Sequence, residues 1–149
     1  MSTRPRILLV KPVLPYPPDQ GTRVVSTAII EAPMPVVVYV SPDGARAASA
    51  GAFITEAADV AAMAPQTNIG SASAVDASGE DIGGTLGEKI ENDAAAFIRA
   101  LAETHGRDGA LPDRMVTDAE SFTADEALAG DAIDLVVAGG IRNGGDIAK

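Results

Sequence analysis

Residues 35–55 read PVVVYVSPDGARAASAGAFIT, and how this stretch folds decides the architecture. Its first six residues form a continuous, β-branched run, bounded by proline on one side and by the turn signal SPDG on the other. That pattern predicts a buried strand. The turn leads into a block built almost wholly of Ala, Ser and Gly, followed by Phe53 and Ile54. From Ser49 onward, Ala50, Phe53, Ile54, Ala57 and Ala58 fall on one side of a predicted short helix. Small residues belong where backbone must approach something closely. Ser49 sits among them, either as a helix N-cap or as a nucleophile.

Strands and helices alternate on either side of this unit. RILLVKPVL (6–14) predicts a buried strand stopped by PYPPD, and RVVSTAIIEA (23–32) a short helix ended by Pro33. DVAAMA (59–64) reads as another short buried strand. Residues 65–87 are rich in Gly, Ser, Thr, Asp and Asn and lack periodicity, which points to a mobile loop at an active site or to disorder. A long helix is predicted at about 86–104, with Leu86, Ile90, Ala94, Phe97, Ile98 and Leu101 in one apolar stripe. TADEALAG (123–130) is a capped helix, with Thr123 as N-cap, Glu126 three residues on and Gly130 as terminator. AIDLVV (132–137) closes the set as a strand. Continuous apolar strands separated by helices indicate an α/β fold with a largely parallel sheet.

Bulk properties narrow the function. The 149 residues suit one domain, and their 46% apolar content is enough for a core. That core must be aliphatic, since there is no Trp and only three Phe and two Tyr. A net charge of −10 and a pI near 4.3 argue against a nucleic-acid surface, which needs clustered Lys and Arg. The absence of cysteine excludes disulfides, thiolate metal sites and cysteine nucleophiles. No run reaches the roughly 18 apolar residues of a membrane span. Lys11 and the neighbouring prolines interrupt the N-terminal apolar run, so it reads as a strand leading into a loop, without an export signal.

A serine hydroxyl needs a base to take its proton. His105, the single histidine, lies at the end of the long helix beside charged residues, where a solvated role is expected. A serine–lysine pair is the known variant, and Lys89 is the candidate base. At 100° per residue Lys89 lies about 120° from the centre of the apolar stripe, so the helix by itself does not bury it. Asp93, four residues on, offers a plain surface pair instead. On the residues alone, both Ser49 and Lys89 keep two readings.

APMPVVVYVSPDGARAASAGAFITEAADVAAMAPQTNIGSASAV (32–75), GEKIENDAAAFIRALAETHGR (87–107) and SFTADEALAGDAIDLVV (121–137) closely resemble the protease domain of the NfeD-type membrane-associated serine proteases. These are relatives of the Clp-type proteases and share the crotonase-like spiral of ββα units. The resemblance spans residues 23–138 and preserves order and spacing. It implies that Ser49 is the nucleophile and Lys89 its base, forty positions away (89 − 49). It also implies an oxyanion donor at the Ala50 N–H, with Gly21, Gly44 and Ala45 lining the oxyanion and substrate site, and no cofactor or metal. The implied substrate is a hydrophobic segment of a stomatin-like membrane partner. It would be cut by a homo-oligomer associated with a membrane, although the chain as written reads as soluble.

The chain departs from the family pattern before the PVVVYV strand. A glycine-rich segment of the Asp-Thr-Pro-Gly-Gly type is expected there, and PYPPDQGTRVVST stands in its place, with Gly21 the one glycine. The family's first strand and helix are expected to be missing, making the domain N-terminally truncated. Residues 1–22 read as an atypical strand and loop that resembles the opening of certain glycosyltransferases. Residues 139–149, GGIRNGGDIAK, read as a Gly-rich tail that resembles a phosphate-binding turn of IMP dehydrogenase-like barrels. Three functions follow: a serine endopeptidase with a Ser–Lys dyad, a catalytically impaired protease-like scaffold that binds peptides or subunits, or a phosphate binder resting on the ends alone.

Overall fold

The computed structural model describes residues 29–75 and 82–138. The strand predicted in PVVVYV is β1 (Val37–Val40), and the small-residue block supplies β2 (Arg46–Ala48) before α1 (Ala50–Glu56) begins. Next come β3 (Val60–Met63), β4 (Asn68–Gly70) and the long helix α2 (Gly84–Thr104). The chain then forms α3 (Ala110–Thr117), β5 (Ser121–Thr123), α4 (Ala124–Ala129) and β6 (Leu135–Val136).

Two three-stranded sheets result, ordered β1-β3-β6 and β2-β4-β5. The first is wholly parallel: Val37 to Val40 stand beside Val60 to Met63, and Ala62 and Met63 beside Leu135 and Val136. In the second, β2 and β4 are parallel, with Ala47 beside Ile69, while β5 returns antiparallel, with Phe122 beside Ile69. Each repeat therefore places one strand in each sheet and follows them with a helix. This is the ββα spiral, run once as β1-β2-α1 and again as β3-β4-α2.

The core is aliphatic and rich in alanine. Ala47, Ala52, Ala57, Ala58 and Ala61 lie buried with Val38, Val40, Ile69, Ile98, Met115 and Ile133. Small side chains let α1 sit close to the sheets, and its one aromatic residue, Phe53, stacks on Phe97 of α2 with ring centroids 5.9 Å apart. On the other face of the parallel sheet, Tyr39 packs with Ala62, Ala64 and Val137. Its hydroxyl donates to the Val137 carbonyl at 3.0 Å.

Several expectations need correction. Residues 65–87 are not uniformly irregular: they contain β4 and the start of α2, and only 76–81 lie outside the described residues. The strands β2, β4 and β5 have three residues each, too short for a periodic signal, and α3 was masked by Pro112 and its polar neighbours. Leu86, assigned to the apolar stripe of the long helix, is 65% exposed; the one buried residue in the first two turns of α2 is Gly87, and the buried side chains come further on, at Ala95, Ile98, Leu101 and Ala102. Of the helix expected at 23–32, Ile29 and Ile30 are helical, and its first six residues lie outside the described residues. The strand at 6–14, Gly21 and the Gly-rich tail at 139–149 lie outside them as well. Among the described residues, no helix is long and apolar enough to cross a membrane.

Candidate active site

Ser49 occupies the sharp corner between β2 and α1, with φ 49° and ψ −118°. This left-handed conformation is strained for a residue with a Cβ, and strain of this kind collects where a side chain must be aimed. A serine lifted on a strand-to-helix corner has its hydroxyl presented at the end of the sheet. The small residues explain how the corner forms: Ala47, Ala48, Ala50 and Gly51 leave room for the chain to reverse without side-chain collision. Although Ser49 stands at the N-cap position, its side chain makes no capping bond. The hydroxyl donates instead to the Ser71 carbonyl at 3.2 Å, and the Ser49 N–H points at the carbonyls of Gly70 and Ser71, each at 3.2 Å. The cap reading therefore fails on geometry.

Ala50, which follows, is the first residue of α1. Amides in the first turn of a helix have no acceptor within it. Gly44 and Ala45 behave otherwise. The Gly44 N–H donates to the Gln66 carbonyl at 3.1 Å and the Ala45 N–H to the Pro42 carbonyl at 2.9 Å. Both amides are thus taken up in shaping the turn and in tying it to the loop before β4. Neither amide is therefore open to donate to an oxyanion, and any part the two residues play in lining the substrate site falls to the rest of their surface.

Lys89 lies in the second turn of α2 and is exposed. This agrees with its expected place off the apolar stripe: α2 turns its alanine, isoleucine and leucine face inward and leaves Lys89 outside it. The two candidate residues are carried by two helices that touch: Ser49 is one turn before Phe53, and Lys89 two turns before its stacking partner Phe97.

His105 caps the C-terminus of α2 and is not solvated as expected: its side chain is 12% exposed. The Nδ1 atom lies 3.9 Å from Asp59 Oδ1, and the buried Nε2 has no hydrogen-bond partner. Asp59 immediately precedes β3, at the opposite end of α1 from Ser49. His105 accordingly belongs to the frame.

Sequence reasoning missed two groups. One is Ser71 with Ser121, whose hydroxyls are 2.8 Å apart beside the nucleophile corner. The other is a buried charge cluster at the far end of α1. There Arg107 donates to the carbonyls of Glu56 and Ala58 at 3.0 and 2.7 Å and to Asp134 at 2.8 Å. Glu56 is fully buried, its carboxylate 3.9 Å from the guanidinium and without a hydrogen bond on either oxygen. Burial pushes its pKa up to about 8, although Arg107 pulls the other way. The only sequence signal for that cluster is a glutamate inside an otherwise apolar helix.

No family model matches the chain. The membrane-bound protease PH1510 of Pyrococcus horikoshii is 37% identical over 111 residues, which is 72% of this chain and 25% of that protein. The solved 1510-N membrane-bound stomatin-specific protease, as a lysine-to-alanine variant in complex with a substrate peptide, superposes with a TM-score of 0.78 and 30% identity. That match covers 88% of this chain and 60% of the solved one. The chain is a homologue of this stomatin-specific protease. A serine-to-alanine variant of the same protein matches with a TM-score of 0.72 and 32% identity, over 80% of this chain and 58% of that one. ClpP1 from Listeria monocytogenes shares the fold at 16% identity and a TM-score of 0.59, over 81% of this chain and 67% of that one. The NfeD-like and ClpP/crotonase-like character expected from the sequence is thus borne out. The homologue spans about a quarter of the curated relative's length and 60% of the solved chain.

Proposed function

We propose that this chain is a serine endopeptidase in which Ser49 is the nucleophile and Lys89 the general base, acting on hydrophobic peptide segments of a stomatin-like membrane protein. The observation that carries the reading is the strained corner at Ser49, which lacks the capping bond that would otherwise account for a serine there. The relatives support it: the two solved variants replace a serine and a lysine that are 41 positions apart in that protein, against 40 here.

In this mechanism the Ser49 Oγ attacks the peptide carbonyl carbon as neutral Lys89 takes the hydroxyl proton. The Ala50 N–H donates to the developing oxyanion. When the tetrahedral adduct collapses, Lys89 returns the proton to the leaving amine, and water repeats the sequence on the acyl-enzyme. Because Lys89 is exposed in the single chain, its amine becomes an effective base only when bound peptide or a second copy of the chain excludes water from it. Among the described residues β2 is an edge strand of its sheet, and that edge gives an extended peptide a strand to lie beside.

A second reading is favoured by that same exposure and by the engaged amides of Gly44 and Ala45: a protease-like scaffold that holds peptides without cutting them. Incubation with a fluorophosphonate followed by intact mass separates the two. Labelling at Ser49 that Ser49→Ala abolishes and Lys89→Ala slows by at least about 100-fold is the result expected of the peptidase. Well-folded protein that stays unlabelled, or a fully active Lys89→Ala variant, would overturn the dyad.

A further inference from the structure

The hydroxyl of a resting serine protease nucleophile has one proton to donate. Here that proton is directed at a main-chain carbonyl, that of Ser71. A carbonyl oxygen cannot carry the proton away, so this bond has to break before any amine can receive it. What fixes the Ser71 carbonyl therefore sets how readily Ser49 becomes reactive.

The Ser71 carbonyl is held from several sides. Gly70 has φ 136°, and a Cβ there would run into the main chain of Glu120 and Ser121, so β4 ends in contact with the residues that open β5. Ser71 follows at φ 45°, its N–H donating to the Glu120 carbonyl at 2.7 Å and its hydroxyl bonded to that of Ser121 at 2.8 Å. Ala72 is tied to the Met115 carbonyl at 2.7 Å. Among the described residues, five non-glycine residues have positive φ: Ser49, Gln66, Ser71, Ala119 and Asp131. Three of the five meet here, Ser49 bonded to Ser71 and Ala119 preceding the glutamate whose carbonyl holds Ser71. Backbone strain concentrated at one contact marks a place where an arrangement is being imposed.

We propose that Ser71, anchored by the Ser121 hydroxyl, is a positioning residue that holds the Ser49 hydroxyl in a resting orientation, so that the connection between α3 and β5 sets the reactivity of the nucleophile. This rests on Ser49 being the nucleophile. A neutral hydrogen bond of this kind contributes modestly, so weakening its anchor changes the rate about two- to tenfold.

The test is the rate of Ser49 labelling by a fluorophosphonate, followed by intact mass, in wild type, Ser121→Ala, Ser71→Gly and Ser121→Thr. Glycine accepts the Ser71 backbone angles, and threonine restores a hydroxyl on a strand that favours it. Labelling about two- to tenfold faster in Ser121→Ala and Ser71→Gly, returning towards the wild-type rate in Ser121→Thr, supports the proposal. An unchanged or slower rate in the first two variants overturns it, and so does Ser121→Thr labelling as fast as Ser121→Ala, which would mean general loosening. Wild type that labels while its variants are no faster removes this inference alone. Absence of labelling in every form removes the nucleophile assignment with it.

Discussion

At Gly70 the space where a side chain would stand is filled by the main chain of Glu120 and Ser121, and the residue adopts φ 136°. Its own carbonyl receives the Ser49 N–H. Replacing Gly70 by alanine therefore adds a backbone collision to an unfavourable φ, at the residue that supports the nucleophile corner. Gly70→Ala is expected to lower stability by at least about 3 kcal/mol in urea titration. A Gly70→Ala protein with wild-type stability would show that β4 and β5 are not packed this closely. A glycine inside TNIG is ordinary in sequence; its necessity is visible only once Glu120, fifty positions on, lies against it.

Among the elements, α4 shows what local chemistry can specify. Thr123 accepts from the Glu126 N–H while the Glu126 carboxylate accepts from the Thr123 N–H, a complete capping box. The Thr123 N–H and then its hydroxyl, both donating to the Glu126 carboxylate, hold that carboxyl below its usual pKa. Thr123→Ala removes the box and is expected to cost about 1 kcal/mol, a melting point lower by about 2–4 °C in a thermal scan. A change below half a degree would mean the box contributes nothing. The capping box was legible because its signal lies within four residues, and PVVVYV was legible because a β-branched run is strong on its own. By contrast, Arg46–Ala48, Asn68–Gly70 and Ser121–Thr123 are strands by virtue of pairing with one another, so no window of sequence contains the cause. Residue type and spacing left Ser49 and Lys89 with two readings each, and it was the resemblance that set them apart as candidates. The partners of Ser49, at Ser71 and beyond it Ser121, did not.

On the scale of the whole molecule, the cluster around Arg107 joins the end of α1, the approach to β3 and the residue before β6. The Asp134 carboxylate also accepts from the Ala61 N–H at 2.6 Å, which brings β3 and β6 together. Within it, Glu56 is the sensitive member. Its folded pKa, about 8, lies above its unfolded value of 4.5, so between those two pH values the folded chain keeps a proton that the unfolded chain has released. Below pH 4.5 the group is neutral in both states and imposes no cost. Stability is then lost progressively as pH rises towards about 8, with a slope of up to about 1.4 kcal/mol per pH unit from this group, and levels off above. Urea titrations between pH 5 and 8 are expected to show that decline, and Glu56→Gln to remove most of it. A decline of equal size in Glu56→Gln would assign it to other groups.

The Tyr39 hydroxyl reaches the Val137 carbonyl, just past β6, and its ring lies against Ala62 and Ala64. Since the sequence has no tryptophan and one other tyrosine, emission excited at wavelengths beyond phenylalanine absorption comes from two phenols alone. One of them is seated where β6 docks, so the chain carries its own optical gauge of whether that strand is seated or peeled away. Detachment of β6 can be followed in unlabelled protein, independently of anything happening at the serine corner.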